Sequence, residues 1–239
     1  MAIAAILFDV EDIFFDGTFW HRYLHQTACR LGRQQQFDDL QADWQTEFLP
    51  KVYAGDLQYW DALASFFRSW GLNECEVREL TAVSQTRLKQ AQAGLRLFPH
   101  VSETLQTLNK QGLKVGVISN SIHEPADFVD MLRKIGLRVK LDFVATSRGE
   151  RRRMPDQAAF GAAATALGIN PDQIAYVSVR TERLTEAIHF GLPIIRVIKT
   201  GPGGPNFSEG NVPAITSLSE LFKAIAKIDA PHGPLARQI

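Results

Sequence analysis

Ile3-Ala4-Ala5-Ile6-Leu7-Phe8-Asp9-Val10-Glu11-Asp12 is the stretch that decides the fold. Its apolar run shows no alternation and stops abruptly at three acids, Asp9, Glu11 and Asp12. A strand wetted on one face alternates apolar and polar residues, whereas a strand covered on both faces does not. The run therefore predicts a central parallel strand whose C-terminal end opens on a site. It is too short to span a bilayer and lacks the basic flank of a signal peptide. A solvated turn is the plain alternative for the acids.

Downstream, the pattern changes to helical spacing. Trp20, Tyr23 and Leu24 mark one stripe, Trp44, Phe48 and Leu49 a second, Trp60, Leu63, Phe66 and Phe67 a third, and Val77, Leu80 and Leu88 a fourth. With no strand signal between them, residues 16–95 read as an inserted helical cap of four helices, with Trp20, Trp44, Trp60, Phe66, Phe67 and Trp70 as its core. From 101 onward helices and strands alternate with short connections: strands at 114–118, 143–145, 174–177 and 194–198, helices at 101–109, 125–135, 155–167 and 182–190. That alternation predicts an α/β doubly wound, Rossmann-like parallel sheet. The core domain is expected at 1–15 and 96–228, the Gly- and Pro-rich run 201–205 as a loop, 214–228 as a last short strand and helix, and 229–239 as a tail.

Composition narrows the function classes. The 239 residues carry 26 Lys plus Arg against 26 Asp plus Glu, so no overall field draws the chain to nucleic acid or an anionic membrane. Cys29 and Cys75 have neither CxxC spacing nor a disulfide framework, which predicts a reducing, cytoplasmic setting. The histidines at 21, 25, 100, 123 and 189 lack metal-ligand spacing and receive no role.

Side chains at the C-terminal ends of parallel strands converge on one crevice. Four ends stand out: Asp9-Val10-Glu11-Asp12, Ile118-Ser119-Asn120-Ser121, Arg151-Arg152-Arg153-Met154-Pro155-Asp156 and Val177-Ser178-Val179-Arg180. In order and spacing they resemble the four motifs of the haloacid dehalogenase superfamily, and the resemblance covers nearly the whole chain. The cap-bearing branch typified by phosphoglycolate phosphatase is the one it is most similar to.

The resemblance implies a nucleophile at Asp9 and an acid/base at Glu11, one methylene longer than the usual Asp. Asp12 and Ile13 stand where the pattern has Gly and Thr. Ser119 and Asn120 match the phosphate-binding motif, although Ser119 would equally serve as a helix cap. The lysine that neutralises the site aligns with Met154. In the metal-binding motif the acids are replaced, with Arg183 at the later one. Magnesium needs carboxylate anchors, and here only Asp9 and Glu11 would offer them, so no cofactor is expected.

The run Arg151-Arg152-Arg153 reads as a solvated loop unless one member turns inward. Arg153, Arg180 and Arg183 are the cations that would hold a phosphate or carboxylate. Asp16-Gly17-Thr18 is a decoy that does not abut the strand.

Three functions fit these residues. The first is a pseudoenzyme that binds a small phosphorylated or anionic ligand, or a protein partner. The second is a phosphatase acting through Asp9. The third is a metal-free dehalogenase, which resembles this chain in having a Ser at position 178 but uses the lysine that Met154 displaces. Neither nucleic acid nor membrane is an expected partner.

Overall fold

The computed structural model describes residues 2–33, 36–199 and 212–229. The decisive run becomes β1 (Ala5–Asp9), with every residue buried. Then come α1 (Phe19–Arg30), α2 (Phe37–Asp43), α3 (Leu49–Ala54), α4 (Tyr59–Ser69) and α5 (Glu74–Gly94). The remainder alternates: α6 (Val101–Lys110), β2 (Lys114–Ser119), α7 (Pro125–Lys134), β3 (Phe143–Thr146), α8 (Ser147–Glu150), α9 (Gln157–Leu167), β4 (Ile174–Ser178), α10 (Thr181–Phe190), β5 (Ile194–Val197), β6 (Ala214–Ile215) and α11 (Leu221–Asp229).

The sheet has the order β3-β2-β1-β4-β5-β6, with every pairing parallel. The chain steps outward from β1 through β2 to β3, then returns to β4 on the other flank of β1. That reversal opens a crevice beyond the C-terminal ends of β1 and β4.

Alternation along β1 sends its side chains to two cores. Ile6 and Phe8 join Leu105, Phe128 and Ile225 on the face covered by α6, α7 and α11. Ala5 and Leu7 join Phe160, Tyr176 and Leu184 on the face covered by α9 and α10. Burying a Leu or Phe side chain contributes about 1.5–3 kcal/mol, so neither face tolerates a polar residue.

Helices α1 to α5, five where the sequence spacing suggested four, enclose a third cluster, which includes Trp44, Phe66, Phe67 and Trp70, with Trp20 and Trp60 packed at its edge. A turn of π-helix, Trp44–Phe48, joins α2 to α3. Pro50, just beyond it, has no N–H to continue the regular ladder. Asn73 starts α5 with a capping box: its Oδ1 accepts from the amides of Cys75 and Glu76, while Glu76 Oε2 accepts from the Asn73 amide at 2.8 Å.

Two local expectations change. Asp229 is no part of a tail: it closes α11, and its carboxylate accepts from the Ile3 amide at 2.8 Å. Residues 230–239 and the loop 201–205 lie outside the described residues. No sequence pattern announces α8, which forms because Thr146 Oγ1 accepts from the Gly149 amide at 3.1 Å and starts the turn.

Candidate active site

Asp9 ends β1 and is 1% exposed. Its Oδ2 accepts from Ser178 Oγ, at the end of β4, at 2.7 Å. Its Oδ1 accepts from Arg183 Nη1 in the first turn of α10. Ser178 Oγ also accepts from the Arg180 amide at 3.1 Å, which ties the start of α10 to the strand before it. Residues far apart in sequence thus meet because β1 and β4 are neighbours.

Burial pushes the Asp9 carboxyl above the usual carboxylate range, and Arg183, Ser178 and Arg180 offset only part of that. Burial likewise raises Glu11, reinforced by Asp9 and opposed by Arg183, whose Nη2 lies 4.0 Å from Glu11 Oε2. For Arg183 burial pulls downward, but the attraction of Asp9 and Glu11 outweighs it, so the guanidinium stays charged.

Asp12 sits in the left-handed region at φ 66°, the conformation a glycine would take there. Its carboxylate meets Lys199 Nζ at 2.8 Å and Arg180 Nη2 at 3.7 Å. Asp16-Gly17-Thr18 builds the entry to α1 instead: against burial, which raises it, bonds from Thr18 and Arg22 lower Asp16 to about 2.

Above the strand ends lies a cleft of about 690 Å³. Glu11, Ser119 and Arg180 line it from the sheet side, and Trp20, Trp44 and Tyr53 from the helical insert. Asp9 does not line it; it lies beneath. Gln41 Oε1 faces this space from α2, buried and without a hydrogen-bond partner. The insert is fastened to the sheet side along one short segment. Arg148 Nη1 donates to the Val52 carbonyl at 3.0 Å, Arg151 Nε to the Ala54 carbonyl at 2.8 Å, and Tyr53 Oη to the Asn120 carbonyl at 3.3 Å.

The anticipated residues therefore take distinct places. Arg153 lines the cleft and makes neither a hydrogen bond nor an ion pair among the described residues. Arg151 and Arg152 turn elsewhere, Arg152 to Glu150 and Asp156. Arg180 reaches Asp12, and Arg183 is spent on Asp9 rather than left for an incoming anion.

Ser119 is not the cap of the next helix, since Glu124 precedes α7. The Asn120 amide, expected to bind an anion, is committed internally. Its Oδ1 accepts from Ser147 Oγ at 2.5 Å and from the Met154 amide at 2.8 Å, while its Nδ2 donates to the Met154 carbonyl at 2.5 Å. Met154 itself is 2% exposed and packs in the core under the sheet.

Lys199, two residues past β5, could have been found by inspecting that strand end as well. Tyr53 and Gln41 carry no signal that separates them from other insert residues.

The donor set does not suit magnesium. An octahedral shell anchored by carboxylates needs free carboxylate oxygens, and those of Asp9 are taken by a guanidinium and a hydroxyl. Among the described residues, no group of three or more His, Cys, Asp or Glu side chains is placed to hold a metal.

This arrangement, a buried aspartate at the end of the first strand of a parallel sheet with a helical insert above it, is that of a known hydrolase fold. The chain belongs to the haloacid dehalogenase-like hydrolase family, whose model matches residues 3–178. It is 28% identical over 225 residues to an (S)-2-haloacid dehalogenase of Pseudomonas sp. (strain YL), covering 92% of this chain and 91% of that one. It is also 28% identical over 106 residues to a phosphoglycolate phosphatase of Salmonella choleraesuis, covering 44% and 41%. The crystal structure of L-2-haloacid dehalogenase from Xanthobacter autotrophicus superposes with a TM-score of 0.63 at 18% identity, covering 94% of this chain and 98% of that one. The likeness to dehalogenases thus runs the length of the chain, while that to phosphoglycolate phosphatase covers less than half, the reverse of the ranking drawn from the motifs.

Proposed function

We propose that this chain binds a small organic anion in the cleft and does not turn it over. One observation carries the reading: both carboxylate oxygens of Asp9 are bonded, and the side chain lies beneath the cleft floor rather than in it. A nucleophile needs an ionised oxygen within about 3–3.5 Å of the reacting atom. Here Ser178 and Arg183 hold both oxygens below the floor, and burial adds a cost to the charged form. Glu11, raised in the same way, is a poor replacement base for want of a substrate-facing nucleophile to assist.

The ligand's chemistry is set by the groups left unspent. Arg153 supplies a cation with no hydrogen-bond or ion-pair partner among the described residues, Gln41 Oε1 a buried acceptor, and Trp20, Trp44 and Tyr53 an aromatic wall. These suit a carboxylate or phosphate ester carrying a hydroxyl or amino donor and an apolar body. Cys29 is half-buried, Cys75 exposed and both are free, in keeping with a reducing, cytoplasmic site of action. No helix among the described residues is long and apolar enough to cross a membrane.

A second reading, metal-free dehalogenation, is favoured by the dehalogenase relatives that match along 80–92% of the chain. There an Asp9 oxygen would bond to C2 of a short 2-haloacid as the carbon–halogen bond breaks and halide leaves with the bonding pair. Water would then cleave the ester, release the 2-hydroxy acid and restore the carboxyl.

The test is halide release from 2-chloropropionate and hydrolysis of an aryl phosphate with and without Mg²⁺, in wild type and Asp9→Asn. Equal background rates in both proteins, with a thermal shift on adding organic anions that Arg153→Ala removes, support binding. Asp9-dependent halide release makes the chain a dehalogenase. Asp9-dependent phosphate release makes it a phosphatase.

A further inference from the structure

Three carboxylates crowd the end of β1, and each has a cation near it. Asp12 has Lys199 and Arg180; Asp9 and Glu11 share Arg183. Arg183 is not a surface side chain. Its side chain is 10% exposed, it projects from the first turn of α10, and Ser178 holds that turn against β4. The guanidinium reaches the space between the two carboxylates, which is where an ion bridging them would sit.

We propose that Arg183 occupies the place of a divalent cation and keeps one out, and that an acid at position 183 converts the crevice into a metal site. The two cations differ in what they offer. A divalent ion brings two charges and open positions that a ligand oxygen can enter. A guanidinium brings one delocalised charge and a planar set of N–H donors with no open position. Arg183 can therefore neutralise and fix Asp9, yet it cannot draw a ligand oxygen onto the nucleophile as an ion would.

An Arg183→Asp change removes the occupant and adds a third carboxylate beside Asp9 and Glu11. The result is an all-oxygen donor set with Ser178 Oγ close by. The inference concerns cation binding alone, so it stands or falls independently of whether the cleft binds or turns over an organic anion.

The experiment titrates Mn²⁺ into the full chain and tracks the free ion by electron paramagnetic resonance, with calorimetry in parallel. Wild type is expected to show no saturable site. Arg183→Asp is expected to bind one ion per chain, with affinity higher than wild type by about tenfold or more, and to lose it when Asp9→Asn is added. Saturable Mn²⁺ binding in wild type that Asp9→Asn abolishes would overturn the proposal. So would a folded Arg183→Asp that binds no better than wild type. Should that variant not fold, Arg183→Asn, which empties the position without adding charge, carries the same comparison.

Discussion

Asn120 grips the backbone of Met154 from both sides, donating from Nδ2 to its carbonyl at 2.5 Å and accepting on Oδ1 from its amide at 2.8 Å. A residue at the end of β2 thereby fixes the loop beyond α8. Ser147 Oγ, on the same Oδ1 at 2.5 Å, completes the clasp. Asn120→Ala is expected to cost about 2–4 kcal/mol, because three bonds go and the Met154 polar groups lose their partner. Urea unfolding measures it, and a loss under about 1 kcal/mol would show that water or the loop itself can take over.

The Asp9–Arg183 pair makes a sharper forecast. Removing one member of a buried pair strands the other, so Arg183→Met is expected to destabilise by about 3–5 kcal/mol. Adding Asp9→Asn to that variant should recover part of the loss. A double-mutant cycle in denaturant reads the coupling. Strict additivity would mean that the two side chains do not act as a unit.

Acid titration reads Glu11. Its folded pKa is raised, so between the ordinary glutamate value and that raised value the folded chain holds more protons than the unfolded chain. The stabilisation is complete below the unfolded pKa and is lost as pH rises through the folded one. Glu11→Gln is expected to flatten this part of the curve of urea midpoint against pH. Asp16, lowered to about 2, works in the opposite sense: its contribution is present above the ordinary aspartate value and disappears as pH falls toward 2.

The fastening between insert and sheet can be loosened at one glycine. Gly55 caps the end of α3 at φ 84°, and a Cβ there would lie 2.7 Å from Arg148 Nη1. Gly55→Ala therefore meets both a left-handed backbone penalty and a clash with the arginine that holds Val52, together about 1–3 kcal/mol. Arg148→Ala removes the bond without the strain. In both variants, amide hydrogen exchange across 49–55 should quicken while that of β1 stays unchanged. Equal quickening in β1 would show that the insert and the sheet open together.

Much of this was legible in the residues, for physical reasons. β1, β2, β4 and their helices announce themselves because burial on both faces leaves unbroken apolar runs, and glycines and prolines punctuate the connections between them. That Met154 and Arg183 stand where the resemblance expects a lysine and an acid was equally plain, since both lie near strand ends.

What could not be read was which cations turn inward. Arg153, Arg180 and Arg183 are chemically alike, and a side chain's direction depends on neighbours from distant strands: Arg183 finds Asp9 across 174 positions. The fate of Asn120 was hidden in the same way. Its spacing suits anion binding, but the amide is claimed by a loop 34 residues on.

Asp12 has a wider consequence. It holds the positive φ natural to glycine, and its attachments to Lys199 and to the Gly17 amide help to offset a conformation that costs most L-residues about 1–2 kcal/mol. The turn after β1 is therefore held by side-chain contacts rather than by a residue that adopts it at no cost. Cutting those contacts, as Asp12→Ala would, leaves the turn to bear its own strain, whereas Asp12→Gly keeps its shape without any contact.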